Sequence, residues 1–176
     1  YRIPPNREPD HYALEMLALI LGDGDSSRLY RVLVKEREIC QQLQVATDDQ
    51  RGPDLFSVFG IMAGDHQPAE ARQVIYDTLA EVASGGVTER ELQKARNRVA
   101  SYFVFGIQGN LERAQRLAEY EMYYGNAELL RTEINLYNAV TRADIQRVAN
   151  MYFGTTQRTV LDVLPPAAAS TTGGNP

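Results

Sequence analysis

Residues 11–21, His-Tyr-Ala-Leu-Glu-Met-Leu-Ala-Leu-Ile-Leu, are apolar almost all the way round a helical wheel. Leu14, Leu17, Ala18 and Leu21 share one face, and Met16, Leu19 and Ile20 fill most of the remainder. A helix of this kind is enclosed on several sides, so the other elements of the fold have to be laid around it. Asp10, following Pro9, is its expected N-cap, and Gly22 and Gly24 supply the conformational freedom that ends it.

The elements that can enclose it follow in order. A shorter helix is expected over about 26–37, with Leu29, Val32 and Leu33 as its buried stripe. Gln41, Leu43, Val45 and Thr47 alternate with more polar neighbours, as on a half-buried strand. Residues 55–63 are apolar on both faces, which suits a central strand, and Arg51-Gly52-Pro53-Asp54 forms the turn between the two. From Pro68 to Gly85-Gly86 the spacing of Ala71, Val74, Ile75, Leu79 and Val82 is helical.

Thr88 and Glu91 make a capping box that opens a long helix carrying Leu92, Ala95, Val99 and Tyr102, broken at Gly106 and Gly109. Two more helices carry Leu111, Ala114, Leu117 and Ala118, then Leu130, Ile134 and Tyr137. Thr141 with Asp144 opens the last helix, whose stripe is Ile145, Val148, Ala149 and Tyr152. Residues 158–164 read as a final strand returning to the sheet. Helices run between clustered strands without strict βαβ alternation. The expected class is therefore α+β, a mostly antiparallel sheet with helices packed on one face. A single domain is expected over 1–164, and the Pro/Gly-rich residues 165–176 read as a disordered tail or linker.

A length of 176 residues allows one good core, and a net charge of −5 argues against a nucleic-acid-binding face, which needs a basic patch. No apolar run is long enough to cross a bilayer, so a soluble protein with no membrane partner is expected; the compartment stays open, with bacterial periplasm and cytoplasm both allowed. Cys40 is the sole cysteine, which excludes an internal disulfide and a thiolate metal cluster. The chain begins at Tyr1 without a methionine or signal peptide, the sign of a processed or cut piece whose chemistry could lie upstream.

Catalytic motifs are scarce. A zinc-peptidase helix needs two histidines on one face with a glutamate as base. Here His11 stands alone four residues before Glu15, and reads as a helix-start histidine near a carboxylate. His66, in the polar turn Gly64-Asp65-His66-Gln67, reads as a surface loop residue. No metal ligand is assigned in this chain. Cys40 opens an apolar strand away from either histidine, the setting of a buried thiol rather than a nucleophile. Gly22-Asp23-Gly24-Asp25-Ser26-Ser27 lacks the lysine of a phosphate loop, and its aspartates would repel a phosphate. Tyr120, Tyr123 and Tyr124 at a helix end either line a groove or seal a core edge with their hydroxyls wet.

Several ordered pieces nevertheless belong together: Asp10-His11-Tyr12-Ala13-Leu14 with the run 17–24; Ser26-Ser27-Arg28-Leu29-Tyr30-Arg31-Val32-Leu33; Gly86-Val87-Thr88 with Glu91-Leu92 and Ala95-Arg96-Asn97; and Ala139-Val140-Thr141 with Asp144-Ile145 and Ala149. In this order and spacing they resemble the second, zinc-free domain of the pitrilysin (M16) metallopeptidases. The resemblance spans nearly the whole chain apart from its tail. It implies one half of a clamshell that encloses a peptide substrate opposite a homologous zinc-bearing half. That half, in the same chain or in a paired subunit, would carry the His-x-x-Glu-His zinc motif, absent from this sequence.

Active members lend an Arg and a Tyr from this domain, in a pattern like Leu-Arg-x-x-x-x-Leu-x-Tyr. Here Val34 and Gln41 stand at those two positions, so no catalytic residue is assigned. Valine cannot bind a carbonyl or carboxylate as Arg does, and Gln41 is a weak substitute for a tyrosine hydroxyl. Residues 26–41 are the expected chamber-facing stretch, with Ser27, Arg28, Lys35, Arg37 and Gln41 as candidate substrate contacts. The implied cofactor is zinc in the other half, with none in this chain, which alone is expected to be inactive. A non-catalytic scaffold or assembly subunit of the same fold is the alternative.

Overall fold

In a computed structural model, which describes residues 1–164, the apolar helix is the hub of the molecule. Strand β1 (Arg2–Ile3) leads into α1 (Pro9–Gly22). A short α2 (Arg28–Tyr30) continues as a π-helical turn over Arg31–Glu36. The hairpin strands β2 (Cys40–Thr47) and β3 (Asp54–Met62) come next. Helices α3 (Pro68–Gly85), α4 (Glu89–Phe105), α5 (Asn110–Tyr124), α6 (Leu129–Ala139) and α7 (Arg142–Tyr152) complete the order, followed by a 3-10 turn at Thr155–Gln157. The sheet runs β1-β3-β2 and is antiparallel throughout, with β3 in the centre as its two-sided apolar pattern requires.

Helix α1 packs against β2, α4, α6 and α7 and is buried from His11 to Leu21 with only Glu15 and Leu19 partly open. Its close approach to the sheet has a local cause. A Cβ added to Gly22 would stand 2.6 Å from Cβ of Val45, so only glycine lets the end of α1 touch β2. The helix starts two residues earlier than expected. Glu8 is the N-cap and Pro9 the first helical residue, while Asp10 accepts hydrogen bonds from Arg147 at 2.7 Å and Tyr152 at 2.9 Å.

Both expected capping boxes form. Thr88 and Glu91 close the first turn of α4, Thr141 and Asp144 that of α7, and a third, Gln67 with Glu70, opens α3.

Two expectations are corrected. Residues 158–164 are extended but join no strand ladder, and Leu161 and Val163 are each 85% exposed. The segment is held by side chains instead: Arg158 lies over the Tyr76 ring at 3.9 Å and Asp162 pairs with Arg72 at 2.8 Å, both on α3. The stripe of α5 is likewise not buried. Leu111, Ala114, Leu117 and Ala118 are exposed and only Tyr120 enters the core, because α5 has its main contacts with α6 alone. Residues 165–176, read as tail or linker, lie outside the described residues. Among the described residues no helix is long and apolar enough to cross a membrane.

Candidate functional site

The stretch 26–41 wraps one edge of the sheet, and its candidate residues divide by burial. Ser27 is the N-cap of α2; its side chain is buried and its hydroxyl donates to the Gly24 carbonyl at 2.7 Å. Arg28 is engaged with Glu91 of α4 through two parallel bonds, Nε to Oε1 at 2.6 Å and Nη2 to Oε2 at 2.8 Å, and also reaches the Gly86 carbonyl. This fork, with the amide and hydroxyl of Thr88, holds the Glu91 carboxyl down at about 2. Lys35 is exposed, 3.5 Å from Asp25, and Arg37 is exposed at the end of the π-helical turn. Val34 is half-buried against the core.

Gln41 is exposed, and its position is set by an irregularity in the hairpin. Pairing steps from Cys40 opposite Met62 to Gln42 opposite Ile61, leaving Gln41 as the extra residue of a β-bulge. A bulge of this kind re-aims a side chain that the regular pleat would direct elsewhere. Beyond it, the face of β3 turned away from the core carries Leu55, Phe59 and Ile61, which are 48%, 57% and 42% exposed. Their cross-strand neighbours on β2 are Gln44 opposite Phe59 and Gln42 opposite Ile61, while Phe56 on the other face is fully buried. The result is an apolar strip edged with amides, a surface that can hold an extended chain through side-chain burial and hydrogen bonds.

A second group of polar side chains lies inside the molecule, where the hairpin turn meets α1, α5 and α6. His11 is fully buried, and its Nε2 is 2.9 Å from Oδ2 of Asp54 and 3.9 Å from Oδ1 of Asp49. Glu15, one helical turn on, accepts from the Tyr137 hydroxyl at 2.5 Å; burial pushes its carboxyl up to about 7. Glu133 of α6 is buried beside Arg7 at 2.9 Å and accepts from the hydroxyls of Tyr120 and Tyr12. The Arg7 guanidinium is stacked on the rings of Tyr124, at 4.1 Å, and Tyr120, at 4.6 Å.

The reading of His11 as a helix-start residue near Glu15 is therefore incomplete: its close partner is Asp54, 43 positions away. The sequence signal for it was the acidic content of the hairpin connection, with Asp48, Asp49 and Asp54 around a turn that needs only one of them. Of the tyrosines at the end of α5, Tyr120 is buried on Glu133, whereas Tyr123 and Tyr124 stack under Arg51 and Arg7. His66 is exposed and bonded to Glu70 at 3.0 Å, in keeping with a surface loop. Cys40 is buried.

The catalytic zinc that the resemblance implies does not fit this chain. His11 pairs with the first residue of β3 and His66 lies four residues past its last, so the two imidazoles sit at opposite ends of one strand. A glutamate between two facing histidines is the donor set such an ion needs, and the fold does not assemble it.

Comparison with known proteins agrees with this geometry. A family model described as the peptidase M16 inactive domain matches residues 1–99. The zinc protease PqqE of Helicobacter pylori is 26% identical over 171 residues, covering 94% of this chain and 37% of its own length. The chain thus spans about a third of the length of the curated relatives it matches. Among solved structures, a protease from Helicobacter pylori superposes with a TM-score of 0.81 at 24% identity, over 89% of this chain and 38% of that one. The inactive peptidase domain from Bordetella parapertussis gives 0.77 at 25% identity, over 90% and 86%.

Proposed function

Because the chain belongs to the peptidase M16 inactive-domain family, we propose that it forms the non-catalytic wall of a peptide-enclosing chamber in a longer zinc metalloendopeptidase. The observation that carries this reading is the solvent-facing apolar strip of Leu55, Phe59 and Ile61, flanked by Gln42, Gln44 and the bulged Gln41. A peptide held there is bound by apolar burial and amide hydrogen bonds rather than by charge. Gln41, Lys35 and Arg37 are its exposed candidate contacts; Ser27 and Arg28, engaged within the fold, act by shaping the segment. The zinc, the glutamate base and the reaction belong to the homologous half, which is the partner of this domain in the same chain or in a paired subunit.

The test is steady-state kinetics of the full-length protein carrying Phe59→Asp. Loss of wall contacts made equally in ground and transition states raises KM and leaves kcat nearly unchanged. An unaltered KM with normal folding overturns the assignment of this face. The scaffold reading retains one specific support, the Val34 and Gln41 that stand where active relatives of the pattern have Arg and Tyr. It predicts a full-length protein that binds peptides without cleaving them.

A further inference from the structure

The buried polar group at the hairpin turn is unbalanced in charge. Glu15, Asp54 and Glu133, with the more exposed Asp49 at their rim, converge on a region whose one permanent cation among the described residues is Arg7, and Arg7 is spent on Glu133. Buried carboxylates without compensation are costly, so a group of this composition takes up either protons or a cation. The geometry favours a specific place for the cation. A ring nitrogen of His11 and one carboxylate oxygen each from Glu15 and Asp49 lie within 4.8 Å of one another. His11 and Glu15 are one helical turn apart on α1, and Asp49 reaches them from the β2–β3 turn.

His11 adds an independent sign. Its ring is fully buried, Nε2 is bonded to Asp54, and Nδ1 has no hydrogen-bond partner. With Nε2 held by Asp54, and 3.9 Å from Asp49, the nitrogen left for an ion is Nδ1, and the Asp54 carboxylate would fix the orientation of the ring. Asp49 is the adjustable member. Its side chain is 57% exposed, and its φ of 56° lies in the left-handed region that Asp tolerates. It can close the remaining distance, since donors around a tetrahedral ion sit about 3.3–3.6 Å apart when the bonds are about 2.0–2.2 Å.

We propose that His11, Glu15 and Asp49 form a structural site for a first-row divalent cation that pins the β2–β3 turn to α1. One imidazole with two carboxylates is a nitrogen–oxygen set, suited to Zn²⁺, Co²⁺ or Mn²⁺ and poorly suited to Ca²⁺, which takes oxygen ligands. The site is distinct from the catalytic zinc of the other half and does not depend on the chamber-wall reading. It brings into one place residues that the sequence, searched for paired histidines, leaves without a metal role.

The test is Co²⁺ and Zn²⁺ binding to the 176-residue chain, followed by cobalt d–d absorption and by competition with a chelating dye. One ion per chain is expected, together with a raised unfolding midpoint on metal addition. Asp49→Asn is the decisive variant. It keeps the left-handed turn and the buried His11–Asp54 pair, and is expected to weaken binding by about tenfold or more. Asp54→Asn, which removes the carboxylate that orients His11 and keeps an oxygen for the Leu55 amide, is expected to weaken it by about tenfold to a hundredfold. His66→Ala, which removes the exposed His66–Glu70 pair, is expected to change nothing. No stoichiometric binding, or binding that survives Asp49→Asn and falls with His66→Ala, overturns the proposal.

Discussion

One carboxylate, that of Glu133, ties together the loop before α1 through Arg7, α1 through Tyr12, and α5 through Tyr120. Its removal leaves the Arg7 guanidinium buried between two rings without a counter-charge. Glu133→Ala is therefore expected to cost about 3–5 kcal/mol, read from the urea midpoint, with Glu133→Gln less damaging because it keeps an acceptor for the tyrosines. A loss below about 1 kcal/mol in the alanine variant would mean that solvent replaces the carboxylate. Glu133 was not legible in the sequence, and the His11–Asp54 pair was hinted at only by the acidic hairpin connection. Their partners stand 126 and 43 positions away, and an acidic residue on an otherwise amphipathic helix reads as solvent-facing until the tertiary contact is known. His66, whose partner is one helical turn away, was legible for the converse reason.

At the scale of elements, what is local in cause is what the sequence discloses. Both expected capping boxes need only residues three apart, and the all-round apolar α1 declares its burial in its own composition. The segment 158–164 has strand-like composition, but a strand exists only through a ladder, and this segment pairs with neither of the edge strands β1 and β2.

Two predictions belong here. Gly22→Ala drives a methyl group into Val45 and is expected to cost about 1–3 kcal/mol by overpacking, measured by thermal or urea unfolding. The Arg28–Glu91 fork, which joins α2 to α4, carries a pH signature. The Glu91 carboxyl lies at about 2 in the folded chain against an ordinary value of 4.5, so its contribution is fully present above about 4.5. It is lost as pH falls from there through about 2, because the unfolded chain takes up that proton first. Glu91→Gln is expected to flatten the acid limb of the stability profile relative to the unchanged chain. An unchanged limb would show that the fork is screened by solvent.

At the scale of the whole molecule, the fold is an α+β domain with one face of its sheet closed by helices and the other left apolar and open. In a chain that spans about a third of the length of its curated relatives, an open apolar face of this kind marks an interaction surface. The proposed role requires that this domain contribute shape and binding but no catalytic centre. The most direct measurement is peptide hydrolysis in zinc-supplemented buffer by the 176-residue chain alone, set beside the full-length protein. Cleavage by the full-length protein is expected, abolished by chelation, with none by the chain alone even when zinc is present in excess. Cleavage by the chain alone that disappears in His11→Ala would contradict that role and place a working metal centre in this half.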